Sequence, residues 1–241
     1  LAALRKDGVP YAFQYTITGY GRPLEPYHPP FDAAVSDFLS ISEQLPDPAC
    51  IQWRYDPIVV SRTQDVPFHL ANFAAIARRL EGSTRIVNCS IVEPYVKTVR
   101  RVADETVRYR PLDPKRHKSV AKKHPDLASA GEPERELLDR LAGIARDRGM
   151  VLRACCNPEW RLPASACAGA ELFAPHGLAL DDLPTAPTRP NCRCFHTVDI
   201  GMDNTCLAGC RYCYVVTSHR VAVANRVVHD PEGEYLRQPA P

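Results

Sequence analysis

Strand-like and helix-like stretches alternate along most of this chain, and that rhythm restricts its fold more than any single motif does. Residues 11–20 (YAFQYTITGY) alternate aromatic or β-branched residues with others and close at Gly19, which reads as a strand. Residues 31–45 place Phe31, Ala34, Val35, Phe38, Leu39 and Ile41 on one helical stripe, stopped by Pro46. Residues 50–60 (CIQWRYDPIVV) form a second strand, and Val66-Pro67 opens a helix that runs to Leu80 before Gly82. A third strand at 85–92 is followed by a helix from Pro94 to about residue 108. A helix at 134–148, stopped by Gly149, precedes a fourth strand at 150–155, and residues 197–201 read as a short last strand. Alternation of this regularity calls for a parallel sheet with right-handed crossovers.

About five strands fall short of the eight that close a barrel. The expected fold is therefore α/β, a parallel βα barrel of the TIM type, partial or complete. Leu1 is not a methionine, and residues 1–6 read as the tail of a helix closed by Asp7-Gly8. The chain is accordingly expected to lack the N-terminal part of its barrel. Residues 1–155 form the barrel portion, interrupted at 110–133 by a polar, basic insertion with little core. Residues 156–241 are a cysteine-rich C-terminal region of the same domain. The 241 residues are 45% hydrophobic, enough for a real core, and the net charge of +2 excludes a polyelectrolyte binder. No apolar run is long enough to span a bilayer and no signal-peptide layout is present, so the expectation is a cytoplasmic protein without a membrane partner.

Ten cysteines without a secretory leader argue for metal binding in a reducing compartment rather than a disulfide framework. All but Cys50 and Cys89 lie after residue 154. Cys206-Leu-Ala-Gly-Cys210-Arg-Tyr212-Cys213-Tyr214 has the spacing C-x3-C-x2-C. A loop this short can aim three thiolates at one face of a [4Fe–4S] cluster and leave one iron open for a small molecule. A structural zinc site competes with that reading; zinc takes four closed ligands, and Cys192 or Cys194 can supply the fourth. A second group, Cys155, Cys156, Cys167, Cys192 and Cys194, can hold an auxiliary iron–sulfur cluster or pack as inert buried thiols.

In a parallel barrel the loops after the strands share the active face. Gln52, Arg54 and Asp56 lie on one face of their strand, where Arg54 can hold a carboxylate and Asp56 a ribose or amine, or the two can form a structural pair. Thr16, Thr18 and Tyr20 end the first strand, and Ser90, Glu93, Tyr95 and Lys97 follow the third. The basic run of Lys115, Arg116, His117, Lys118, Lys122, Lys123 and His124 can meet nucleic-acid phosphates. It lacks interleaved aromatics, and a solvated loop is the ordinary alternative.

The cysteine triplet, with an aromatic residue just before its third member, resembles the signature of radical S-adenosylmethionine (SAM) enzymes. Tyr15-Thr-Ile-Thr-Gly-Tyr20, Trp53-Arg-Tyr-Asp-Pro57, Cys192-Arg-Cys194 and Asp199-Ile-Gly201, set before that triplet, resemble a bacterial and archaeal family of unknown function. That family carries a radical-SAM-like cysteine cluster at its C-terminus. The resemblance implies a [4Fe–4S] cluster on Cys206, Cys210 and Cys213, with Tyr212 and Tyr214 packed around the cluster or the adenine. It further implies SAM as cofactor, a 5′-deoxyadenosyl radical acting on an unidentified, small-molecule or other substrate, and an electron donor such as ferredoxin or flavodoxin. The triplet here follows the last strand instead of the first, and no Gly-Gly-Glu-type strand is present to receive the SAM amino group. The alternatives are a non-catalytic iron–sulfur or zinc protein with a structural or electron-transfer role, and a nucleic-acid modifying protein.

Overall fold

Four strands, β1 (Phe13–Thr16), β2 (Ile51–Ile58), β3 (Ile86–Ile91) and β4 (Val151–Ala154), form one all-parallel sheet in the order β1-β2-β3-β4. The structure is a computed structural model that describes residues 2–111, 113, 115, 117–178, 180, 182–186 and 191–233. Gln14 lies opposite Gln52, Arg54 opposite Asn88, and Asn88 opposite Arg153. Because strand side chains alternate, these polar residues share one face with Thr16, Asp56 and Ser90, while Tyr15, Trp53, Tyr55, Val87, Cys89 and Leu152 share the other.

The apolar face is covered by the crossover helices. After α1 (Ala2–Lys6), α2 (Phe31–Glu43) sets Phe38 edge-on to Tyr15, and α3 (Val66–Leu80) lays Phe73 on Trp53 with ring centroids 4.6 Å apart. Burying each such side chain contributes about 1.5–3 kcal/mol, so this interface carries much of the stability. The start of α3 follows from Asp65, whose carboxylate accepts the Phe68 amide at 2.9 Å, with Pro67 in the first turn.

The expected helix from residue 94 to 108 is shorter: α4 spans Val96–Arg101, a 3₁₀ turn follows at Ala103–Glu105, and Thr106 turns left-handed at φ 53°. The β-branched and aromatic residues beyond prefer extended backbone, and Arg108 and Tyr109 bridge to Val60 and Ser129. The basic insertion contributes to the core after all. Around α5 (Lys118–Lys123), His117, Val120 and Ala130 are buried; residues 112, 114 and 116 of the insertion lie outside the described residues. α6 (Glu132–Asp147) then packs Leu137, Leu138, Leu141 and Ala145 inward.

The polar face is covered by chain from the C-terminal region. Gln14 Nε2 donates to the Cys167 carbonyl at 2.7 Å, Ser165 Oγ to Asn88 Oδ1 at 2.7 Å, and Arg153 pairs with Glu171 of α7 (Ala170–Phe173) at 2.6 Å. These contacts pair polar groups of that face with the chain that covers it. The expected strand at 197–201 does not form: Val198 is 80% exposed and Ile200 86%, in irregular chain. Among the described residues their alternation has no neighbouring strand to pair with. The sheet therefore has four strands, and among the described residues β1 and β4 do not pair to close a barrel. A last helix, α8 (His219–Val227), starts at Ser218, whose Oγ accepts the Val221 amide. Among the described residues no helix is long and apolar enough to cross a membrane.

His69 on α3 gives the fold a pH dependence. It is fully buried, with Nε2 donating to the Val59 carbonyl at 3.2 Å and Nδ1 accepting the Tyr55 hydroxyl at 2.8 Å. Burial lowers its pKa to about 4, below the value near 6.5 of the unfolded chain. The contribution of neutral His69 is complete above pH ~6.5 and is lost progressively as pH falls toward ~4. Urea denaturation at pH 5 should show about 2 kcal/mol less stability from this group than at pH 7, a difference that shrinks in His69→Gln.

Candidate functional site

The C-terminal ends of parallel strands open at one edge, and loops after them converge there. At this edge a cavity of about 320 Å³ is lined by Thr16 from β1, Arg54, Asp56 and Pro57 from β2, and Ser90, Val92 and Glu93 from and after β3. Its remaining wall is Tyr95 together with Cys210, Tyr212, Cys213, Tyr214 and Val215. Residues more than a hundred positions apart in sequence thus meet in one place.

Arg54 and Asp56 are ion-paired, and Ser90 Oγ donates to the same Asp56 carboxylate. The guanidinium remains partly open to the cavity while the carboxylate is more enclosed. Glu93 accepts from Arg110 Nη1 and from the Tyr95 hydroxyl, each at 2.9 Å, so it is held in place before any ligand arrives. The Tyr95 and Tyr214 rings stack with centroids 4.9 Å apart and form an aromatic wall.

The cysteine loop is fastened at its base. Arg101 of α4 donates to the carbonyls of Cys213 at 2.9 Å and Val216 at 2.8 Å, and Arg211 returns a bond to the Arg101 carbonyl at 2.9 Å. The Arg211 amide donates to Leu24 O and the Tyr27 amide to Ala208 O. Tyr212 enters the core edge-on to Tyr20, and its hydroxyl donates to Glu25 Oε1, which also accepts from Thr18 Oγ1. Glu25 is a buried carboxylate held by two hydroxyls. It sits in a proline-rich stretch that reads as simple loop, and its partner is 187 positions away, so no local pattern marks it.

Cys206 is exposed, whereas Cys210 and Cys213 are half-buried. Burial first, then the neighbouring Glu25, Cys213 and Cys206, push the Cys210 thiol up to about 12. These groups are close enough for negative charge on one to oppose it on the next, an arrangement that a bound cation reverses. The Val216 amide already donates to Cys213 Sγ at 3.4 Å, as it would to a ligating thiolate. Among the described residues no three His, Cys, Asp or Glu side chains are yet closed around a common point as a metal shell. In type, number and spacing the three thiols fit an iron–sulfur cluster, and ligation requires them to close.

A family model for a domain of unknown function matches residues 1–215, spanning the whole sheet, the cavity and all three cysteines of the loop. The chain belongs to the DUF1848 family. No curated protein and no solved structure matches it. The DUF1848 match also takes in the second cysteine group. There Cys155 and Cys156 Sγ lie 3.6 Å apart, Cys167 hydrogen-bonds Cys155, and Cys194 hydrogen-bonds Cys192.

Other expected site residues of the DUF1848 region take structural places. Tyr20 donates to Pro57 O and accepts the Val59 amide, and Thr18 serves Glu25. Lys97 is half-buried on α4 and does not line the cavity. Of the basic run, Lys115, Lys118, Lys122 and Lys123 are exposed, while His117 turns inward to Glu93 and Tyr95; Arg116 lies outside the described residues.

Proposed function

We propose that this chain binds a [4Fe–4S] cluster through Cys206, Cys210 and Cys213 and uses it with SAM in radical chemistry on a substrate held in the strand-end cavity. The observation that supports this most is the placement of Cys210 and Cys213 in the wall of a cavity that already contains Arg54, Asp56 and Glu93. The chemistry such a cluster supplies when bound is one-electron cleavage of the SAM sulfonium to a 5′-deoxyadenosyl radical. On this reading the sheet is part of a βα barrel and its polar face is the lumen.

The chain's own residues bind, orient and exclude water. Arg54 presents a fork of donors to a carboxylate, and Asp56, steadied by Ser90, receives a hydroxyl or amine. The Tyr95–Tyr214 wall takes a flat ring such as adenine by stacking. Tyr212, buried against Tyr20 and Glu25, keeps water from the base of the cysteine loop. Exposed Cys206 marks the side on which an electron donor such as ferredoxin or flavodoxin docks, in a cytosol that keeps the thiols reduced.

A closed zinc site needs a fourth ligand. Cys192 and Cys194, the thiols proposed for it by sequence, bond each other and meet Cys167 instead. Anaerobic loading with iron and sulfide tests the proposal. Wild type should hold about four more irons per chain than a variant with Cys206, Cys210 and Cys213 all changed to serine. Equal iron in the two proteins, or zinc taken up in its place, would overturn the reading.

A further inference from the structure

The five remaining clustered thiols behave unlike ordinary core cysteines. Cys50 and Cys89 are buried in the hydrophobic core at 0% and 1% exposure. Cys155, Cys156, Cys167, Cys192 and Cys194 instead come together from three segments, and the last three are only half-buried. Backbone bonds sew these segments to one another beyond the end of β4. Ala154 donates to Pro163 O at 2.9 Å, Ser165 to Ala154 O at 3.0 Å, and Phe195 to Ala168 O at 2.9 Å. Cys156 and Cys155 Sγ lie 3.6 Å apart, Cys155 pairs with Cys167 and Cys192 with Cys194, and the Cys194 sulfur accepts from the Cys167 backbone.

Thiol–thiol contacts are weak hydrogen bonds and contribute little to packing. A second observation points to a ligand. A cavity of about 220 Å³ is lined by Cys156 and Cys192 of the five, together with Asn157 and Arg193. Asn157 is 3% exposed, yet neither Nδ2 nor Oδ1 has a hydrogen-bond partner among the described residues. A buried amide unanswered at both ends is costly unless something enters the space beside it.

We propose that this group is a second metal site, for a thiophilic transition-metal centre, with Cys155, Cys167 and Cys194 as its core ligands and Cys192 or Cys156 completing the set. The shared chemistry is a thiolate shell, which either a zinc ion or an iron–sulfur cluster satisfies. Binding displaces the S–H protons to solvent as the pairs part and close on the metal. Gln14 Nε2 donates to the Cys167 carbonyl at 2.7 Å and the Cys155 amide to Cys89 O at 3.0 Å, so the group is tied to the sheet. The inference is independent of the reading of the C-terminal triplet.

The test uses the full chain carrying Cys206→Ser, Cys210→Ser and Cys213→Ser, which removes the triplet and leaves this group whole. It is loaded anaerobically with zinc alone, or with iron and sulfide. Metal is then counted, and alkylation of each cysteine is followed by mass spectrometry. About one zinc ion or one cluster should remain per chain, and alkylation of Cys155, Cys167 and Cys194 should slow about tenfold or more on loading. Adding Cys167→Ser should weaken retention by a similar factor. The two loading arms tell zinc from a cluster. No metal retained in either arm, or metal retained while these three thiols react at the metal-free rate, would overturn the proposal. If the triple variant does not fold, the same alkylation map of the wild-type chain decides it by protection at the same three positions.

Discussion

Replacing Cys210 with alanine is expected to remove metal from the C-terminal triplet while the sheet stays folded. Cys210 is the middle cysteine of the three, it packs against the core, and it lines the cavity with Cys213. Two thiols cannot hold a cubane cluster at one face, so iron should fall by about four per chain and the corresponding visible absorbance should vanish. The cost to folding is small by comparison, on the order of 1 kcal/mol for a partly buried thiol trimmed to a methyl group. Cys89→Ala is the matched control. Its thiol sits in the core at 1% exposure, on the apolar face of β3, so its loss should lower the melting temperature and leave triplet iron unchanged. Iron analysis and thermal melts of the two variants separate a ligand from a core residue.

Gly209→Val should nearly match that loss without touching a ligand. Gly209 lies between Cys206 and Cys210 at φ +65°, where a side chain costs about 1–2 kcal/mol and a β-branched one more. A Cβ there would come within 2.5 Å of the Tyr27 ring. Moving that ring aside breaks its stack on His219 of α8, whose centroid is 4.0 Å away. The loop must then take another path, moving Cys206 relative to Cys210 and Cys213. Metal titration should show affinity at the triplet reduced by roughly a hundredfold for valine, since each ~1.4 kcal/mol is a factor of ten, and by less for alanine. The sheet lies outside this contact, so urea unfolding should change little.

Local signals account for the parts of the fold that sequence reading anticipated. Val66-Pro67 and Gly82 mark the ends of α3, and the structure places that helix at the residues expected. The common face of Arg54 and Asp56 follows from alternation along β2, and their cavity position follows from the parallel register. What stayed hidden depends on partners distant in sequence. Residues 197–201 have a strand's alternation, but nothing local says whether a neighbouring strand is there. The helix that periodicity alone would continue stops at Arg101, and after the left-handed Thr106 the chain finds bridges to Val60 and Ser129. Glu25 becomes recognisable only when Tyr212 arrives from the far end of the chain. Spacing sorts the late cysteines into a triplet and a group of five but leaves Cys192 or Cys194 able to complete a zinc site with the triplet; the fold sets the two beside each other and Cys167.

The most direct measurement is the EPR spectrum of the reduced, iron-loaded chain recorded with and without SAM. An open iron in a [4Fe–4S] cluster on Cys206, Cys210 and Cys213 predicts a signal that SAM perturbs, with the SAM-sensitive component missing from Cys210→Ala. A reduced-cluster signal that is the same in the presence and absence of SAM would contradict the account.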